Sequence, residues 1–229
     1  MINPFLIGIV VIALVAGVLI RPSRPPASAE FAAYRSRLRR NLAISLALPI
    51  AFTVYGLIAS GISASRGERF THYPRGVYTV MEFVTGYGFV ILPLIALVIT
   101  ELGTRAPATR VATLTQRSPI TLIPRWILVT AGVAAILAIV TIVLALATSG
   151  GLGGAASTIG ADVPTGSLLI SLVMIIVALA LAGWVIRLAL VRPDIDPSSA
   201  SDAWSRSGIA IRATTLATLA SIGGFIGAL

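Results

Sequence analysis

One carboxylate falls inside a long apolar run: Glu82, within residues 78–101, YTVMEFVTGYGFVILPLIALVITE. Tyr78 and Tyr87 flank it, and His72, the single histidine of the chain, lies just before the run. Tyr78, Glu82, Gly86, Phe89 and Pro93 follow one another at steps of four, four, three and four, so on a helix they share a face. Burial disfavours the charged form of a carboxyl group and equips it to hold a proton or a cation. Glu82, Tyr78, Tyr87 and His72 are therefore the candidate ion or substrate pocket, opening to the outside beside Pro93. The competing reading is an interfacial carboxylate. Counting back about 20 residues from Thr100 puts the bilayer boundary near Met81, where Glu82 is solvated or paired with a loop arginine such as Arg75. Depth decides between them, because a charge costs roughly 2.5–3.5 kcal/mol at the centre of a span and much less at its edge.

Other chemistry has little to work with. The chain has no cysteine, which removes disulfides, thiolate catalysis and cysteine metal sites. One histidine and no acidic pair within an apolar run leave no serine–histidine, paired-aspartate or histidine–glutamate metal constellation. Asp194, Asp196 and Asp202 invite calcium, but Pro193 and Pro197 interrupt the segment and no glutamate stands at loop position twelve. The glycine-rich residues 149–166 follow no strand and contain no lysine, so they read as a flexible extracytoplasmic loop rather than a phosphate cradle. The expectation is a chain that is not an enzyme and uses no metal and no cofactor.

The elements that must carry these residues are set by composition. Apolar residues make up 57% of the chain and charged residues 11%, against about a quarter charged in soluble domains. The apolar residues come in long, nearly uncharged blocks. The reading is one all-α polytopic integral membrane domain over 1–229, with six transmembrane helices at about 4–20, 42–62, 80–100, 126–147, 168–190 and 210–228. The first block is read as an anchor, because Arg21 and Arg24 follow it where a secretory leader carries its charge in front.

The net charge of +9 comes from arginine alone, for the chain has no lysine. Counted by connection, the first, third and fifth carry six, four and two arginines, the second carries three and the fourth none. The positive-inside rule then places the odd connections in the cytoplasm and both termini outside. Arg35, Arg37, Arg39 and Arg40, immediately before the second block, fix that topology or touch anionic headgroups. Basic charge without aromatics interleaved on a soluble module gives no nucleic-acid partner.

Two spans contain prolines, Pro49 and Pro93, which remove a backbone donor and break the helix ladder unless neighbours satisfy it. Joined by a short connection, they should form an antiparallel hairpin. Residues 192–204 read as a polar connector. In the last block Ala220, Gly224 and Ala228 form a small-residue face, with Gly223 and Gly227 as an adjacent GxxxG, so a helix of this chain or another can approach closely.

Two functions follow as expectations. The first is a non-enzymatic bacterial inner-membrane protein, an accessory, assembly or regulatory subunit packing against partner membrane helices or a second copy. The second is a small transporter or permease domain that moves its proline-broken hairpin and uses Glu82 as proton or cation site. The arginine-only, alanine-rich composition suggests a high-GC bacterial genome.

Overall fold

A computed structural model describes residues 29–65, 84, 86–104, 122–151, 165–192, 195 and 199–228. Among them are five helices: α1 (Ala29–Ser65), α2 (Gly88–Leu102), α3 (Arg125–Gly151), α4 (Thr165–Val191) and α5 (Ser199–Ala228). The block at 4–20 and the residues Tyr78, Glu82 and His72 lie outside the described residues.

Among the described residues three stretches are long and apolar enough to cross a membrane: Arg125–Ala147, Leu168–Val191 and Asp202–Phe225, of 23, 24 and 24 residues. At 1.5 Å per residue each reaches about 35 Å, against roughly 30 Å of hydrocarbon. Helix α2 is apolar but shorter, with 15 residues. Among the described residues the architecture is thus all-helical, and its long apolar helices mark a membrane protein.

Helix α5 is the central element. Half of its span is buried, against 17% and 22% for the spans of α3 and α4. It packs along both α3 and α4 and touches α2, while α1 packs on α2 and α2 on α4. The core runs through Leu94 and Leu97 of α2, Ala178 and Val185 of α4, and Ala213 and Leu216 of α5, all fully buried. The faces of α3 and α4 away from it are apolar and exposed, as at Val129, Val133, Ile136 and Val140 on one and Val173 and Ile176 on the other. Spacing of three and four puts such residues on one helix side, where a hydrocarbon solvent or another apolar helix suits them.

Two of the sequence expectations change in form. The basic stretch before residue 42 and the span after it are one uninterrupted helix, α1, that runs straight through Pro49. Pro49 is fully buried and lies against Gly88 of α2, where an added Cβ would stand 3.7 Å from the proline's own. Helix packing of this kind is what lets a span retain an internal proline. The two expected proline-bearing helices pack antiparallel: along α1, residues 34, 41 and 49 meet residues 101, 100 and 88 of α2.

The second change concerns residues 192–204, read from sequence as a connector throughout. Helix α5 begins at Ser199, and Asp202 sits in its first turn. Hydropathy hides this turn because it is polar, yet Asp202, Ser205 and Arg206 are all buried. Their partners are other polar groups, and Trp204 between them packs on the apolar core.

Candidate functional site

The ends of α1, α2, α4 and α5 meet in a buried ionic cluster. It starts with Glu101 in the last turn of α2, 4% exposed. A carboxylate at a helix C-terminus faces the negative end of the helix dipole, so its burial needs donors from elsewhere. Tyr34 of α1 donates its hydroxyl hydrogen to Glu101 Oε1. Arg192, immediately after α4, donates from Nη1 to Glu101 Oε1 at 3.1 Å and Oε2 at 3.3 Å.

The other nitrogen of that fork, Arg192 Nη2, donates to Asp202 Oδ1 at 3.3 Å and to Ser205 Oγ at 3.0 Å. Its guanidinium carbon also lies 4.7 Å from the centre of the Tyr34 ring, within cation–π range. Arginine suits this position because its rigid planar fork serves two carboxylates and an aromatic face together.

Asp202 is shared in turn. Its Oδ2 accepts from Arg206 Nε one helical turn on, and the Ile195 backbone N–H reaches Oδ1 at 3.4 Å. Arg206, the largest fully buried side chain described, turns its remaining nitrogens to the end of α4, donating to the carbonyls of Ala189 and, at 2.8 Å, Arg192. A cation there satisfies terminal carbonyls and complements the dipole. The cluster therefore ties four helix ends with two carboxylates and two guanidiniums, whose formal charges cancel.

Weaker bonds extend it at the same end of the bundle. Asn41 Nδ2 donates to Thr100 Oγ1 at 2.9 Å, Arg37 Nη1 to the Gly103 carbonyl at 2.5 Å, and Ser207 Oγ to the Leu122 carbonyl at 2.6 Å. The last of these brings the chain just before α3 to this end as well. Described residues from the first, third and fifth connections thus lie at one end of the bundle.

Burial above all raises the Tyr34 phenol above its ordinary range. Arg192 pulls it down and Glu101 pushes it up, with a net upward shift. Tyr34 consequently remains a protonated donor to Glu101 at neutral pH.

The sequence-predicted residues distribute as follows. Of the candidate pocket around Glu82, Tyr87 is the described member; it is half-buried and rests on the apolar core. Pro49 and Pro93 are buried in packed helix contacts. Of the four arginines before the second block, Arg37 caps the end of α2, Arg40 is exposed, and Arg35 and Arg39 line a groove between α1 and α5. Ala220 and Gly224 pack within this chain: a Cβ at Gly224 would stand 2.5 Å from Ile175 Cδ1 of α4 and 3.7 Å from Ile142 Cδ1 of α3. Gly223 faces open space. The side chains at 227 and 228 lie outside the described residues.

Sequence reasoning did not single out the ionic cluster. Its members stand at the ends of apolar blocks, where charges are ordinarily solvated. The available signals were Glu101 as the carboxylate closing an apolar run, Arg192 between a span and Pro193, and the Asp202–Arg206 spacing of four that makes a pair on any helix. Among the described residues no three histidine or acidic side chains converge as metal ligands. No protein-family model, curated protein or solved structure matches the chain.

Proposed function

We propose that this chain is a non-enzymatic, multi-pass protein of the bacterial cytoplasmic membrane, serving as an accessory, assembly or regulatory subunit that packs against partner membrane helices. The observation that carries the reading is the ionic cluster. Its acids and bases are buried and bonded to one another, which suits a clasp that holds helix ends in register. A clasp of this kind makes a rigid scaffold, and the exposed apolar sides of α3 and α4 are the surfaces such a scaffold offers to other membrane helices.

The competing transporter reading needs a polar path from Glu82 towards Pro49 and Pro93. The dry packing of both prolines favours the scaffold over that moving hairpin. Site-specific photo-crosslinking from Val133 and Ile176 in native membranes tests the proposal. Discrete protein adducts, retained on purification in mild detergent, are expected. Adducts to lipid alone, together with a strict monomer on purification, would overturn it. A proton or solute flux lost in Glu82→Gln would establish the transporter instead.

A further inference from the structure

The basic end of α1 and the first half of α5 enclose a groove of about 510 Å³, within the 300–1,000 Å³ range of small-ligand sites. Along α1 its lining starts mixed, with Tyr34, Arg35 and Arg39 beside Phe31 and Leu38, and becomes wholly apolar at Leu42, Leu46 and Ile50. From α5 come Ser205, Gly208 and Arg212.

The two helices can be aligned by level, because Tyr34 and Ser205 both contact Arg192. Five residues beyond Tyr34 is Arg39, and seven beyond Ser205 is Arg212. At 1.5 Å per residue these lie about 8 Å and about 10 Å from the shared level, so they face each other across the groove. No carboxylate is among its described lining residues. Beyond the arginines the outward side of α1 turns apolar and exposed, beginning at Ile44 and continuing at Leu48. A groove that passes from arginines to exposed apolar residues has the polarity order of a headgroup layer above hydrocarbon.

We infer that this groove is a seat for one anionic phospholipid, with the headgroup phosphate held by Arg35, Arg39 and Arg212 and an acyl chain laid along Leu42, Leu46 and Ile50. Three guanidiniums at headgroup level match a phosphodiester, and the apolar floor below them matches a chain that continues into the bilayer. Gly208 leaves room for this: only the Arg212 Nη1 nitrogen comes within 4 Å of the position its Cβ would take, at 3.7 Å. The seat goes beyond the scaffold reading and holds whether or not a partner protein binds elsewhere.

Native mass spectrometry of the delipidated full chain in detergent tests the seat, titrating phosphatidylglycerol against phosphatidylcholine of the same acyl composition. One phosphatidylglycerol per chain is expected at low concentration, at least tenfold tighter than phosphatidylcholine. Arg39→Gln with Arg212→Gln should weaken phosphatidylglycerol about 25-fold, at about fivefold for each arginine, while Arg125→Gln, at an exposed position outside the groove, changes it less than twofold. If the double variant does not fold, the exposed Arg39→Gln alone gives the fivefold step, and Gly208→Phe should exclude both lipids. Equal binding of the two lipids, retention of phosphatidylglycerol by the arginine variants, or a photo-crosslink from Leu46 to a protein helix would overturn the inference.

Discussion

Arg192→Met is the most informative perturbation of the clasp. Methionine keeps much of the apolar length of arginine and removes the cation between Glu101 and Asp202. Asp202 retains Arg206, whereas Glu101 is left with Tyr34, and its side chain is fully buried in the native pairing. Removing one partner of a buried ion pair typically costs about 3–5 kcal/mol, because the other charge remains without compensation. For a chain of this length each kcal/mol moves the midpoint by roughly 2–4 °C. A fall of roughly 6–20 °C follows, read by thermal unfolding in detergent. The double variant Glu101→Leu with Arg192→Met removes both charges and leaves the Asp202–Arg206 pair intact, so it should lose less than Arg192→Met alone. A shift under about 2 °C for the single variant, or a double-variant loss equal to the sum of the two singles, would refute the clasp.

Three further outcomes follow. With its phenol pKa raised, Tyr34 contributes stability that is fully present below about pH 10 and is lost as pH rises through the higher folded-state value; ultraviolet titration should show late-ionising tyrosine absorbance that Tyr34→Phe reduces by one residue. Gly224→Ala drives a methyl group towards Ile175 and should cost about 1–3 kcal/mol, with Ile175→Val, which lacks the obstructing Cδ1, restoring most of the loss. Gly223→Ala points into open space and should be neutral or raise the melting midpoint, since alanine favours a helix over glycine by about 1 kcal/mol.

How much of this was legible in the sequence depended on whether hydropathy or polarity set a boundary. The expected spans at 126–147 and 168–190 fall within a residue or two of Arg125–Ala147 and Leu168–Val191, because Trp126 opens one long apolar run and Arg192 closes the other, which holds only Arg187 as a charge. The start of α5 was missed because its first turn is polar and stabilised by partners distant in sequence. Pro49 signalled a broken ladder, but only the approach of Gly88 shows why the helix continues. Small residues at 220 and 224 indicated close packing, and the structure supplies the partner as Ile175 and Ile142 of the same chain. The cluster needed the fold itself: a charge at the end of an apolar block reads as solvated until the opposing helix ends are known to converge.

The absence of cysteine permits a direct test of the central claim, that a membrane-embedded bundle gathers the ends of α1, α2, α4 and α5 at one face. Single cysteines at the exposed positions Ser36, Gly103 and Ala203, and at Gly166 at the opposite end of α4, would be labelled with an impermeant maleimide in intact spheroplasts and in inverted vesicles. The account predicts that the first three react together, in inverted vesicles alone, and that Gly166→Cys reacts only in spheroplasts. Labelling of Ser36→Cys, Gly103→Cys and Ala203→Cys from different sides, or of all four from both, would contradict it.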